Sequence, residues 1–211
     1  TIIAHKRNEV ATRRSSVKVS SLSSMEFYER TPLSLRESLR HQTLFGIIAE
    51  IKRSSPSAGT LRQGLIPGEC ASAYEEHGAA AISVLTDERF FAGTLEDLSK
   101  VRARVTIPLL RKDFIIDDYQ LHEAKACGAD AVLLIAGILA PTQLAELHAG
   151  ALELGMESLV ELYESREIDI LDFDSMKLIG INNRDLRTME IDLRKTFELA
   201  RHLPQESTVV S

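Results

Sequence analysis

The run GIIAEIKR at residues 46–53 decides how this sequence folds. It begins apolar and ends charged, and Glu50 and Lys52 stand two residues apart, so a strand presents both side chains on one face. Six later runs of similar length are mostly rich in Ile, Val and Leu without strict alternation, which is typical of strands buried on both faces of a parallel sheet. These runs are Ala81–Asp87, Pro108–Phe114, Ala131–Gly137, Glu157–Tyr163, Lys177–Asn183 and Thr208–Ser211.

Amphipathic segments between these runs predict helices, and Gly78, Gly128 and Gly155 follow three of them as C-cap glycines. Strand and helix therefore alternate, which indicates a parallel α/β architecture. The first run lacks the Gly-rich phosphate loop of a dinucleotide-binding sheet, and a repeat of roughly 22–28 residues suits a closed barrel. The predicted helices are Pro67–His77, Thr94–Val105, Asp118–Cys127, Pro141–Leu154, Ser165–Asp172 and Asp192–Leu203.

We therefore predict a TIM (β/α)8 barrel at residues 46–211, preceded by an N-terminal helical extension at residues 1–45. The sequence offers seven strands and ends near the seventh, so we expect the eighth βα unit to be missing and the barrel to be incomplete at its C-terminus. Unpaired strand edges would then be exposed, and the isolated chain is expected to be inactive or poorly folded. In the extension we predict a short first helix, a loop at Arg13–Ser24 and a helix at Pro32–Arg40 capped by Thr31.

The overall composition limits the kinds of partner that this chain is expected to bind. The formal net charge of −6 and a pI near 5.6 argue against a nucleic-acid binder, although a local basic cluster could still hold an anionic substrate. The two cysteines, Cys70 and Cys127, lack metal-ligand spacing and are expected to be reduced thiols. No apolar run approaches the roughly 18 residues that span a bilayer, and no signal-peptide pattern opens the chain. We expect a cytoplasmic protein without membrane or nucleic-acid partners, a monomer or a weak dimer.

Ionisable and amide side chains follow directly on several apolar runs. Lys112 ends the third run, Glu161 lies in the fifth, and Asn182 and Arg184 follow the sixth. At one strand such a residue could simply close the barrel top in a salt bridge. Four strands that deliver charges to one face indicate a functional site, because desolvating each ion costs several kcal/mol.

The loops at this face leave alternatives open. Residues 53–59 combine small and hydroxyl side chains, including Ser55, and suit an anion or a plain flexible turn. Phe90 and Phe91 are adjacent in the next loop, where they could cap an aromatic substrate or cover the barrel rim. Phe114 has the same two interpretations.

Six segments carry a resemblance to a known family, the indole-3-glycerol-phosphate synthases of tryptophan biosynthesis. The resemblance implies ring closure of 1-(2-carboxyphenylamino)-1-deoxyribulose 5-phosphate to indole-3-glycerol phosphate, with release of carbon dioxide and water and without cofactor or metal. The segments are IIAEIKRSSPSAG (47–59), ISVLTDERFFAGTLEDL (82–98), PLLRKDFIIDDYQ (108–120), GADAVLLIA (128–136), LVELY (159–163) and IGINNRDL (179–186).

The same resemblance implies roles for five catalytic residues. Lys112 would be the general acid at the substrate carbonyl, and Glu161 the partner acid/base for dehydration. Lys52 would hold the substrate carboxylate and serve as an acid in a later step. Glu50 would position lysine and substrate, and Asn182 would hydrogen-bond the substrate hydroxyls.

It also implies a set of substrate-binding residues. Arg184 would add positive charge near the anthranilate carboxylate, and Ser55 would bind phosphate. The pocket for the anthranilate ring would be lined by Phe91, Phe114, Leu133 and Leu186. Two rivals stand beside this interpretation: an isomerase of phosphoribosyl-anthranilate, which would need an early cysteine that the first strand lacks, and an inactive barrel fragment or one part of a larger tryptophan-pathway protein.

Overall fold

The computed structural model describes residues 2–43, 45–56, 59–61, 64–185 and 190–211. All seven predicted strands are present, and a short hairpin, β2–β3, which the sequence did not predict, follows the first of them. Their bounds are β1 Ile48–Ile51, β2 Ser54–Ser55, β3 Gly59–Thr60, β4 Ala81–Leu85, β5 Leu109–Lys112, β6 Ala131–Ile135, β7 Glu157–Leu162, β8 Leu178–Ile181 and β9 Thr208–Val210.

Helices separate the strands, and 3-10 turns occupy two further segments, Ala136–Ile138 and Ser165–Ile170. The second turn replaces the α-helix that we predicted at Ser165–Asp172. The α-helices are α1 Ile2–Ser16, α2 Val19–Leu22, α3 Leu35–Arg40, α4 Pro67–Glu76, α5 Glu88–Phe91, α6 Leu95–Arg102, α7 Tyr119–Ala126, α8 Pro141–Glu153 and α9 Arg194–Ala200.

The main sheet runs in the order β1-β4-β5-β6-β7-β8-β9, and every neighbouring pair is parallel. The sheet curls around an apolar interior, but β1 and β9 do not pair with each other in the described part of the chain, so the barrel is not closed. The structure thus confirms a curled parallel sheet of TIM type with seven strands. Because successive strands are parallel, their carboxyl ends all open at one rim.

Two apolar layers hold the sheet. The outer layer packs the helices against strand residues such as Ile82, Val132 and Val160. The inner layer fills the curled sheet and includes a residue of α3, which therefore closes the amino end of the barrel: its buried members are Leu35, Ala81, Leu110, Ala131, Leu133, Ile135, Leu159 and Leu178.

The N-terminal extension is more helical than predicted. Helix α1 continues to Ser16, and α2 occupies part of the segment that we expected to be a loop at Arg13–Ser24. The predicted start of the next helix was wrong, because Ser34 and not Thr31 caps α3 and accepts a hydrogen bond from the Glu37 amide. The Ser34 hydroxyl also donates to Glu157 at 2.7 Å, so a contact with the start of β7 fixes where α3 begins.

Candidate active site

Glu50 joins two lysines at the carboxyl rim of the sheet. Its Oε1 accepts a hydrogen bond from Lys52 Nζ at 2.5 Å, and its Oε2 accepts one from Lys112 Nζ at 3.0 Å. Lys112 is the last residue of β5, and β4 separates that strand from β1, so the curl of the sheet brings the two side chains together across the interior. One carboxylate therefore holds both ammonium groups in place.

Glu161, in β7, and Asn182, directly after β8, form a second pair. Asn182 Nδ2 donates to Glu161 Oε1 at 3.0 Å. The side-chain oxygen of Asn182 in turn accepts from the backbone N–H of Arg184 at 2.9 Å, which orients the amide and leaves its nitrogen to face the carboxylate. A third sequence-predicted residue, Lys112, lies close enough to Glu161 for their charges to act on each other.

Burial and neighbouring charges shift the pKa values of Lys112, Glu161 and Glu50 to different extents. Burial lowers the pKa of Lys112, but the negative charges of Glu50 and Glu161 outweigh it and leave that pKa above its usual value. Burial raises the pKa of Glu161, and the ammonium of Lys112 and the Asn182 amide offset only part of the rise. Burial also favours protonated Glu50, but the two lysines dominate and lower its pKa. Lys112 is therefore a charged proton donor, Glu161 a carboxyl that holds its proton more readily than usual, and Glu50 a fixed negative charge.

Aromatic and aliphatic side chains border this polar group. The rings of Phe91, in α5, and Phe114, just after β5, lie with their centroids 6.4 Å apart at an interplanar angle of 38°. Phe114 packs against the inner apolar layer that contains Leu133, which is almost fully buried. Phe91 and Phe114 are therefore neighbours at the rim, and Leu133 belongs to the apolar layer that Phe114 contacts, while Leu186 lies outside the described residues.

Ser55 and Arg184 lie in the loops of the same rim. Ser55 belongs to β2, pairs with Gly59 across the short hairpin and is half-buried. Arg184 follows β8, pairs with Ile191 in an isolated antiparallel bridge and is also half-buried. Both residues therefore lie at the C-terminal face of the sheet, Ser55 in the loop after β1 and Arg184 in the loop after β8.

Sequence reasoning missed a residue inside the barrel. Ser83 is in register with Glu50 on one side and with Leu110 on the other, so it shares their inward face. It is 3% exposed, and its hydroxyl has no hydrogen-bond partner among the described residues. Its position within an apolar run hid it, although its offset of two from Leu85 marks the same face.

A buried ionic cluster beneath the rim was also missed. Lys6 of α1 contacts Asp87 and Asp113, and Arg111 binds Asp113 at 3.0 Å and Glu123 at 3.3 Å. Asp113 directly follows Lys112, and that adjacency was the available signal. Burial would raise the pKa of Asp113, but Arg111 and Lys6 lower it to about 2.

Among the residues that the structure describes, no group of three His, Cys, Asp or Glu side chains could hold a metal ion. In the same part of the chain, no helix has the length and apolar character needed to cross a membrane.

Comparison with known proteins decides between families that share this architecture. The family model for indole-3-glycerol phosphate synthase matches residues 1–211. The chain belongs to the indole-3-glycerol phosphate synthase family. Members of this family are carboxy-lyases of tryptophan biosynthesis that act on a small phosphorylated substrate.

Curated relatives bear the same name. The indole-3-glycerol phosphate synthase of Salinibacter ruber is 50% identical over 206 residues, which are 97% of this chain and 76% of that protein. The one from Rhodopirellula baltica is 52% identical over 164 residues, 78% of this chain and 63% of the relative. The one from Bacteroides thetaiotaomicron is 43% identical over 212 residues, 100% of this chain and 80% of the relative. The matches thus span 63% to 80% of these three relatives' own lengths.

Solved structures confirm the fold type at much lower identity. A chain described as "Native KDPGal structure" superposes with a TM-score of 0.52 at 12% identity, covering 80% of this chain and 72% of that one. A chain of the tryptophan synthase α2β2 complex from Pyrococcus furiosus gives a TM-score of 0.50 at 14% identity, covering 78% and 76%. These likenesses support the TIM-type architecture.

Proposed function

We propose that the rim residues of this chain catalyse the ring closure of 1-(2-carboxyphenylamino)-1-deoxyribulose 5-phosphate. The observation that carries the proposal is the position of Lys112, a charged proton donor held by Glu50 and close enough to Glu161 for their charges to interact. The reaction forms one carbon–carbon bond and releases carbon dioxide and water. It needs a proton at a carbonyl oxygen first and at a departing hydroxyl later.

Condensation is the step assigned to Lys112. The ring carbon that bears the carboxylate attacks the ketone carbon, and the ketone oxygen takes a proton from the Lys112 ammonium as it becomes a hydroxyl. A lysine with a raised pKa carries its proton at neutral pH, and the ketone oxygen can take that proton because it becomes the stronger base as the carbon–carbon bond forms. Lys52, on the other oxygen of Glu50, would hold the substrate carboxylate in the attacking geometry.

Decarboxylation and dehydration follow. Loss of carbon dioxide returns its bonding electrons to the ring and restores aromaticity. The new hydroxyl then leaves as water with a proton from Glu161, while a base removes the proton from the carbon next to nitrogen. Glu161 suits this exchange because its pKa is raised by burial, and Asn182 holds the carboxyl in place and can reach the substrate hydroxyls.

Substrate binding is assigned to both sides of the rim. Phe91, Phe114 and Leu133 would sandwich the anthranilate ring, with Leu186 as a fourth wall. Arg184 would face the anthranilate carboxylate, and the hairpin hydroxyl of Ser55 would bind phosphate.

The proposal also covers the division of the chain into two parts, an eighth barrel unit, the location of the reaction and the oligomeric state. Residues 1–45 act as an extension that closes the amino end, and residues 46–211 as the barrel. An eighth βα unit between β9 and β1 would complete the eight-stranded barrel and bring further phosphate contacts, as loops after the last strands do in many TIM barrels. We place the reaction in the cytoplasm and expect a monomeric enzyme.

The test compares lysine variants of the full-length protein by the rise of indole fluorescence on adding the substrate. Lys112→Ala is expected to lower kcat by at least about 100-fold, the usual loss when a general acid is removed. Lys52→Ala should raise KM and lower kcat together. Lys100→Ala, on the exposed side of α6, is the matched control and should leave both constants unchanged. A folded wild-type protein without any indole signal, or a Lys112→Ala variant with near wild-type turnover, would falsify the assignment.

A further inference from the structure

Helix α1 inserts a lysine between the ends of two strands. Lys6 is fully buried, and its Nζ lies 2.8 Å from Asp87 Oδ2 and 2.9 Å from Asp113 Oδ1. Asp87 comes two residues after β4 and Asp113 directly after β5. Glu9, one turn along α1, contacts the same ammonium at 3.1 Å. A helix outside the barrel therefore supplies the cation that both strand ends share.

Each of the two aspartates fixes main chain beside a predicted site residue. Asp87 accepts a hydrogen bond from the Phe90 amide at 2.8 Å and so caps α5, which carries Phe91. Asp113 follows Lys112 in the chain and accepts from the Phe114 amide at 2.8 Å. The loop that carries the aromatic rim and the strand end that carries the proton donor thus meet at one ammonium.

Charge balance makes this ammonium necessary. Asp87 and Asp113 are both fully buried or nearly so, and two carboxylates that share one ligand repel each other strongly where water is excluded. Arg111 pairs with Asp113 and Glu123 but, among the described ion pairs, not with Asp87, so it cannot replace Lys6 at both. Without Lys6, one carboxylate would have to take up a proton or move away, and the loop attached to it would move too.

We propose that Lys6 is a positioning residue of the ring-closure reaction, which sets the relative placement of Lys112, Phe91 and Phe114 through its ion pairs with Asp87 and Asp113. This inference rests on the proposed function. It differs from a purely structural role, in which Lys6 would contribute to the free energy of unfolding and leave turnover of the folded enzyme untouched.

A second buried lysine between the N-terminal extension and the barrel provides a matched control. Lys125 of α7 is 8% exposed, donates to the backbone oxygen of Arg30 at 2.7 Å and, among the described contacts, binds neither Asp87 nor Asp113. Replacing it also removes a buried ammonium between the extension and the barrel. It leaves the Asp87–Lys6–Asp113 ion pairs intact.

The experiment measures kcat, KM and the free energy of unfolding for Lys6→Met, Lys6→Arg and Lys125→Met in the full-length enzyme, at a temperature where circular dichroism shows each to be folded. We expect Lys6→Met to lower kcat by about 100-fold, because displacements near 1 Å have that effect on reacting groups. Lys6→Arg should recover most of the loss, and Lys125→Met should lose stability with kcat within about twofold of wild type. Wild-type kcat in folded Lys6→Met, or equal losses of kcat in both methionine variants, would overturn the proposal.

A milder variant covers the case in which Lys6→Met does not fold. Asp87→Asn keeps a good cap for α5 but removes one charge that Lys6 binds, so kcat should fall while the fold is retained. Unchanged kcat in Asp87→Asn would then reject the positioning role. A wild-type enzyme that produces no indole signal would instead reject the proposed function, so the two failures are distinguishable.

Discussion

At the scale of single residues, two carboxylates at the rim have opposite surroundings. Glu50 binds two ammonium groups and keeps its charge, although burial alone would raise its pKa. Glu161 binds an amide, and burial leaves its pKa raised. Pairs of acids pushed apart in this way divide their roles, because one remains a fixed charge while the other holds its proton more readily.

The Glu50 charge predicts a pH effect on turnover. Lys112 must be protonated to donate, so activity is present below its pKa and is lost as the pH rises through it. Glu50→Gln removes a charge that raises this pKa, and the alkaline limb of the kcat/KM profile should therefore move to lower pH. Profiles of wild type, Glu50→Gln and the exposed control Glu146→Gln provide the measurement. An alkaline limb that stays in place in Glu50→Gln would show that another group controls it.

At the scale of elements, local signals fix some helix starts. Thr94 and Asp97 form a capping box by hydrogen bonds within four residues, and the predicted start of α6 at Thr94 agrees with the structure. The pattern from Ser34 to Glu37 is the same kind of signal, but Pro32 competes with it as a first helical residue, and our prediction followed the proline. The contact of Ser34 with Glu157 is distant in sequence and decides between the two.

Helix α3 should be worth more to stability than its six residues suggest, because it fills the amino end of the barrel. Leu35 is fully buried in the inner apolar layer, whereas its neighbour Leu33 is 38% exposed. Leu35→Ala is expected to lower the free energy of unfolding by about 2–5 kcal/mol through lost burial and a residual cavity. Leu33→Ala, the matched control, should cost well below half of that. Urea titrations followed by circular dichroism measure both, and equal losses would mean that α3 does not seal the interior.

At the scale of the whole molecule, the sheet has two edges in the described chain. Strand β6 is paired on both sides, whereas β1 and β9 each have one neighbour in the sheet. Backbone N–H groups at an edge face no partner strand and open more easily than those inside. The edges are therefore the parts of the sheet whose stability depends most on what packs beside them.

Hydrogen exchange tests this gradient in the 211-residue chain. We expect amides of Val132 and Leu134 in β6 to exchange only with global unfolding. Amides of Val209 and Val210 in β9 should exchange at least about tenfold faster through local opening. Mass spectrometry of peptic fragments from each strand gives the comparison. Equal protection in β6 and β9 would mean that another segment covers the β9 edge.

The sequence by itself determined the seven strands and which polar residues end them, because strand propensity, apolar runs and an offset of two residues are local properties of the chain. It therefore also placed Glu50, Lys112, Glu161 and Asn182 at one rim. Tertiary structure decided that Glu50 holds two lysines at once and that Lys6 joins two strand ends. Those contacts join residues far apart in sequence, and the balance between burial and charge that sets their pKa values exists only once the whole sheet has curled around them.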